Sequence, residues 1–316
     1  IESSIEKPGS AAIPLQPLSE ITAELPDDTR ITIDVNENNN VKITTEIGSY
    51  DLMGKPADEF PATPELNQRL DAGIDANILN EMISTVSFAV SKDDLKPALT
   101  GVYFKFEKER LTAVATDGHR LAKYVRSDFR AGDFQGEVIV PRKFLNTITS
   151  YISNDEPIQL LLGDSVFTAN IGTDTIYTRI IDERFPDYQS VIPTDNEKEI
   201  SANCADLLSA VKRVSIFSNK ATHQIAIRAA SGSAIITTED PEKASKAQET
   251  IEIDYDGESI DVGYNAAYLK DILAHMKSDK IVVKLNTPIS AGLFYPTSLS
   301  NDAEITMLLM PIRLND

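Results

Sequence analysis

The chain repeats itself, and that limits its possible folds more than any single motif does. Three segments share one order of features: "GSAAIPLQPLSEITAELPDDTRITIDV" from Gly9, "GEVIVPRKFLNTITSYISNDEPIQLLL" from Gly136, and "GESIDVGYNAAYLKDILAHMKSDKIVVKL" from Gly257. Each reads as a glycine, a short strand, a helix, a polar turn and a strand. The helices show in the apolar spacing: Leu18, Ile21 and Leu25; Leu145, Ile148 and Ile152; Leu269, Ile272, Leu273 and Met276. A second pattern occurs twice, as "IDANILNEMISTVSFAVSK" from Ile74 and "ANCADLLSAVKRVSIFSNK" from Ala202. Its stripes are Ile78, Leu79, Met82, Ile83 and Val86, then Leu207, Leu208, Val211 and Val214. Strand segments follow. In "GVYFKFEKERLTAVATD", Val102, Phe104 and Phe106 alternate with Tyr103, Lys105 and Glu107.

A full unit is therefore two half-repeats, each a helix with several strands. Full units span 67–193 and 194–316, whereas 1–66 carries only the second half of the pattern. The repeat predicts a first domain represented by its second half, with an apolar face left for the other half to cover. The expected class is α+β, with antiparallel sheets and two helices per full domain on one sheet face.

Composition narrows the function. A length of 316 residues is long for one core, and 41% hydrophobic residues suffice to bury several. The single cysteine, Cys204, rules out an internal disulfide or a cysteine-based metal cluster and fits a reducing, intracellular compartment. There is no run of 18 apolar residues to make a membrane helix. The opening "IESSIEKPGS" lacks the basic and apolar parts of a signal peptide and a starting Met, which predicts a processed or truncated chain. Lys and Arg number 30 against 49 Asp and Glu, a net charge of −19. That total argues against gripping DNA by charge alone. It leaves local patches open, since a ring with a basic lining and an acidic exterior has the same sum.

A search for chemistry finds little. His119, His223 and His275 are not spaced as zinc ligands, and no nucleophile elbow, phosphate loop or dinucleotide fingerprint occurs. No catalytic residue, metal or cofactor is expected. The most active-looking stretch is "LTAVATDGHRLAKYV", Leu111 to Val125. After an apolar strand, Asp117-Gly118 signals a turn and places His119 and Arg120 in a polar connection. Read as residues alone, this is a structural turn, a binding surface, or the site of a hydrolase using His119 and nearby carboxylates. A repeat-built structural or adhesion protein is a further alternative.

Four ordered motifs weigh between these readings. "TAVATDGHRLAKY", "VIVPRKFLNTI", "RFPDYQSVIP" and the tail "MPIRL" together resemble the bacterial β sliding clamp, the processivity subunit of DNA polymerase III. The resemblance covers the whole chain, from the middle of the family's first domain onward. It implies three domains of one fold and a head-to-tail homodimer ring around double-stranded DNA. It also implies a non-enzymatic, cytoplasmic role. The expected partners are the DNA polymerase III catalytic subunit, the clamp loader and other proteins carrying a clamp-binding motif. No membrane is involved.

Carried over position by position, the resemblance assigns a peptide groove between the second and third domains. Its deep part would use Leu99, Thr116, Gly118, His119, Arg120, Leu121, Pro186, Val191, Leu308 and Met310. Its shallow part would use Asn265, Tyr268, Ile289, Pro311, Ile312 and Arg313. Leu, Val, Met and Pro would accept apolar anchors, with Arg120, Asn265 and backbone groups fixing the polar atoms of an extended peptide. Candidate DNA-facing residues are Lys96, Arg142, Lys143, Lys212, Arg213 and Lys270. Subunit-interface positions would be Tyr50 and Leu52 on one side and Ile216 and Phe217 on the other.

Overall fold

The computed structural model describes residues 3–62, 70–130, 134–152, 157–300 and 302–314. The chain divides into two compact units, Ile1–Glu65 and Leu66–Asp316. The smaller contains β1 (Ala11–Ala12), α1 (Leu15–Glu24), β2 (Thr32–Val35), β3 (Asn40–Thr44), β4 (Ser49–Met53) and β5 (Lys55–Pro56). Strands β2, β3 and β4 form an antiparallel sheet, and β1 pairs with β5. Alternation in β3 buries Val41 and Ile43 and exposes Asn40, Lys42 and Thr44. Leu18, Ile21 and Leu25 line one face of α1 or its end, yet all remain half-buried, and α1 buries no residue fully.

The larger unit holds two successive repeats. The first runs β6 (Leu70–Ile74), α2 (Ala76–Val86), β7 (Gly101–Glu107), β8 (Arg110–Thr116) and β9 (Arg120–Arg126). It continues with β10 (Gly136–Pro141), α3 (Arg142–Tyr151), β11 (Ile158–Leu162), β12 (Val166–Ile171) and β13 (Asp174–Arg179). The second runs β14 (Lys198–Asn203), α4 (Cys204–Ser215), β15 (Gln224–Ala230), β16 (Ser233–Asp240) and β17 (Ser245–Asp254). It ends with β18 (Ile260–Asn265), α5 (Ala266–His275), β19 (Lys280–Leu285), β20 (Gly292–Pro296) and β21 (Ala303–Leu309). Strand, helix and three strands thus recur as the half-repeats predict.

Helix boundaries follow local chemistry. Asp75 caps α2 by accepting from the Asn77 and Ile78 amides, Asn203 caps α4, and Asn265 caps α5. α1 and α3 instead begin after Pro14 and Pro141, whose fixed φ sets the entry angle. The last apolar residue expected in three helices, Leu25, Ile152 or Met276, is in each case the C-cap, with extended backbone. There the chain already turns toward the next strand.

The sheets explain why both full repeats share one unit. A twelve-stranded antiparallel sheet runs β10-β7-β8-β9-β21-β20-β19-β14-β17-β16-β15-β18, and a four-stranded sheet runs β13-β12-β11-β6. The two repeats join where β9 pairs with β21, from Arg120 opposite Leu309 to Arg126 opposite Ala303. α2 packs on β8 and β9, α3 on β10 and β13, and α4 lies beside α5. The main core includes Val102, Phe104, Phe106, Leu79, Met82, Leu269 and Ile272. Tyr103, which alternates with this set, is also buried, because the opposite sheet face carries a second, smaller core. The expected boundary between Leu66 and Asn67 lies outside the described residues. That between Pro193 and Thr194 falls in the connection from β13 to β14.

Candidate functional site

The Thr116–Leu121 turn is built almost entirely from its own side chains. The Asp117 carboxylate accepts from the His119 amide at 2.9 Å and the Arg120 amide at 3.0 Å. The Thr116 hydroxyl donates to the Arg120 carbonyl at 2.7 Å and accepts from the Gly118 amide at 3.1 Å. Gly118 has φ +91°, a conformation that a side chain would strain. His119 sits at the exposed tip, and its carbonyl accepts from the Met310 amide at 2.9 Å. The turn is thereby tied to the strand ending at Leu309.

Beneath it lies the second core. Leu121 and Leu308 are direct cross-strand partners and are buried with Tyr103, Val114, Ile139, Phe185, Ala291 and Leu293. Leu99, Tyr188 and Ile192 pack against this cluster, half-buried. Phe185 stacks on Tyr103 with ring centres 4.8 Å apart. The Tyr103 hydroxyl donates to Glu137 at 2.6 Å, and burial first, then this bond, pushes its pKa above the ordinary tyrosine value. The rim is open: Val191 is 54% exposed, Met310 43% and Ile289 61%, and Pro186 is exposed as well. The seam between the repeats is therefore an apolar floor with apolar residues projecting at its edge.

The tail closes one side. The Ile312 amide donates to the Gly263 carbonyl at 2.8 Å. Gly263 is needed there, since a Cβ would collide with the Ile312 carbonyl and the Leu314 side chain. Pro311 and Ile312 are half-buried, and Arg313 is exposed. Tyr268, on the first turn of α5, lies under His119, their rings stacked at 5.8 Å.

Two expectations about polar handles are corrected. Arg120 is only 8% exposed, and each of its side-chain nitrogens is already bonded within the chain. Nε donates to Asp117 at 3.1 Å, Nη1 to Asp271 at 2.6 Å, and Nη2 to the Phe88 carbonyl at 2.9 Å. Asn265 spends its carbonyl oxygen on the Ala267 and Tyr268 amides as the α5 cap, and its amide reaches the Thr222 carbonyl at 3.4 Å. A buried charge must be paired, and an N-cap must face its helix. Phe88, Asp271, Tyr103, Phe185, Tyr188 and Leu293 were missed from sequence. "RFPDYQ" displays its two aromatic residues, but Phe88 and Asp271 carry no local signal.

The other assigned residues are scattered. Arg142 and Lys143 line a shallow depression of about 500 Å³ with Asn146, Thr147 and Ser150 on the outer face of α3. Lys212 is exposed, and Lys96 is exposed in the loop before β7. Arg213 is not a free cation: Glu249 on β17 takes it in a two-pronged pair at 2.8 and 2.6 Å. Lys270 donates to the Ser215 hydroxyl at 3.2 Å. Ile216 and Phe217, just past α4, are 66% and 44% exposed. Tyr50 and Leu52, in the smaller unit, are half-buried on β4, an edge strand of its sheet.

Among the described residues, no group of three or more His, Cys, Asp or Glu side chains could hold a metal ion. None of their helices is long and apolar enough to cross a membrane. Fold and site together define a repeat-built α+β scaffold whose distinctive surface is an apolar seam between two repeats.

Comparison with known proteins gives that scaffold its family. Residues 73–187 match the central domain of the DNA polymerase III beta subunit, and residues 189–313 match its C-terminal domain. The beta sliding clamp of Pseudomonas putida is 30% identical over 311 residues, 98% of this chain and 83% of that protein. The structure of DNA polymerase III subunit beta from Pseudomonas aeruginosa superposes with a TM-score of 0.93 at 28% identity, covering 99% of this chain and 85% of that one. A sliding clamp from Bartonella birtlesii bound to griselimycin gives 0.92 at 27% identity, covering 99% and 84%. The chain belongs to the bacterial β sliding clamp family, the non-catalytic beta subunit of DNA polymerase III.

Proposed function

We propose that this chain holds replication proteins on double-stranded DNA as part of a ring, acting in the cytoplasm, and receives their peptide motifs at the seam between its two full repeats. The observation that carries the peptide reading is the pairing of a buried apolar floor, Leu121 and Leu308, with the exposed apolar rim of Val191, Ile289 and Met310. Residues 67–193 and 194–316 then correspond to clamp domains 2 and 3, and 1–66 to the second half of domain 1. The matched central and C-terminal family segments support this division.

The polymerase catalytic subunit, the clamp loader and other motif-bearing proteins would share the one groove. Its binding groups are apolar side chains and backbone, because Arg120 and Asn265 are committed internally. Lys96, Arg142, Lys143, Lys212 and Lys270 are the cations available to face DNA, with Arg213 compensated by Glu249. Tyr50, Leu52, Ile216 and Phe217 would belong to subunit contacts. Titration with a short peptide carrying leucine and phenylalanine anchors tests the groove. Saturable binding that is lost in Met310→Asp supports it, and absence of saturable binding overturns it.

A further inference from the structure

The corrected role of Arg120 points to something the peptide reading does not contain. Its guanidinium belongs to the first repeat, through β9, yet its shortest hydrogen bond is to Asp271 on α5 of the second, at 2.6 Å. It lies between two rings, one from each repeat: Phe88 with its centre at 5.1 Å and Tyr268 at 4.7 Å. The clasp continues on both sides. Phe88 stacks on His275 at 4.3 Å, and His275 Nδ1 meets the Asp271 carbonyl at 2.7 Å. On the outer side Tyr268 supports the His119 ring, and Asp117 holds both the Arg120 side chain and the turn amides.

We propose that Arg120 is a positioning residue: clasped by Phe88, Tyr268 and Asp271, it locks the Thr116–Leu121 turn to α5 and holds the apolar seam in its binding shape. This rests on the seam being the peptide groove. The physical argument is economy of freedom. A planar fork bonded in three directions and sandwiched between rings has one arrangement. The turn it fixes carries the carbonyl that anchors Met310 at the rim. Loss of the clasp frees the turn and the rim together, so the peptide must order them on binding.

The test uses the full chain and a fluorescently labelled short peptide with leucine and phenylalanine anchors. Asp271→Asn removes the charge that holds Arg120 without altering any residue assigned to the groove. Peptide affinity is expected to fall roughly 3- to 10-fold, and the Arg120 and Met310 amides to exchange hydrogen faster. Arg120→Lys, which keeps the charge but not the planar fork, is expected to do the same, and Asp271→Glu to recover most of the affinity. Both measurements are made well below each variant's unfolding midpoint, so a general loss of stability does not imitate the effect. If Asp271→Asn leaves affinity and exchange unchanged, or shifts only the unfolding midpoint, the clasp is overturned. Met310→Asp separates the two ideas: undiminished peptide binding there defeats the groove reading, while amide exchange in Asp271→Asn still decides the clasp.

Discussion

Leu121 of β9 and Leu308 of β21 face each other across the strand pairing that, among the described residues, joins the two full repeats, and both are buried away from the main core. The same contact therefore holds the unit together and forms the floor of the proposed groove. Stability and binding should separate according to how deep each residue lies.

Leu121→Ala is expected to cost about 2–4 kcal/mol of stability, because the side chain is almost fully buried and its packed neighbours can close the gap only in part. Met310→Asp, at a side chain 43% exposed, should change stability by less than about 1 kcal/mol and abolish peptide binding. Chemical denaturation and peptide titration on the same preparations check both.

The tail depends on Gly263. Gly263→Ala is expected to push the Ile312 carbonyl away and break the Ile312–Gly263 hydrogen bond, at a cost of about 1–3 kcal/mol. Fast hydrogen exchange at the Ile312 amide, with the rest of α5 and β18 still protected, is the expected signature.

Asn265 can be tested as a cap against its earlier expectation as a peptide handle. Asn265→Ala should lose about 1 kcal/mol of stability, whereas Asn265→Asp keeps an acceptor for the Ala267 and Tyr268 amides. Peptide affinity in Asn265→Asp should match the parent. A large loss of affinity with the helix intact would restore the handle.

The Arg126–Asp128 pair gives an acid limb. Hydrogen bonds from Arg126, 2.7 Å from Nε and 2.5 Å from Nη2, hold the Asp128 carboxyl below its ordinary value of 3.8. A carboxyl whose pKa is lower in the folded state binds fewer protons there than in the unfolded chain. Its contribution is therefore present above pH 3.8 and is lost as pH falls from there through the lowered folded value. Asp128→Asn should flatten that limb, read by urea midpoints across an acidic pH series. Asp128 is 40% exposed, so solvent screening keeps the change small.

How much was legible beforehand depended on distance along the chain. Helices and strands showed in the sequence because their signals are local: the spacing of Leu79, Met82, Ile83 and Val86, and the alternation in β7. The repeat made five copies of a helix with several strands readable from two quoted patterns. The turn at Asp117-Gly118 was equally plain, because Asp117 bonds only to its near neighbours. Where the proposed groove lies is an expectation drawn from the family motifs.

What each polar residue does there did not follow. Arg120 looked available because nothing within a turn of it in sequence announces Asp271 or the Phe88 carbonyl, and Asn265 looked available because a cap and a handle use the same amide. Tyr103 alternates with Val102 and Phe104 and so lies on the other sheet face, yet it is buried because the second core covers it. The sequence by itself determined the repeated elements, their order and their apolar faces, since those depend on periodicity and nearest neighbours. Only the tertiary structure decided that β9 meets β21, that Leu121 lies on Leu308, and that Arg120 is spent inside the molecule. Those facts arise from long-range packing and from the need of a buried charge for partners, neither of which is written in any local pattern.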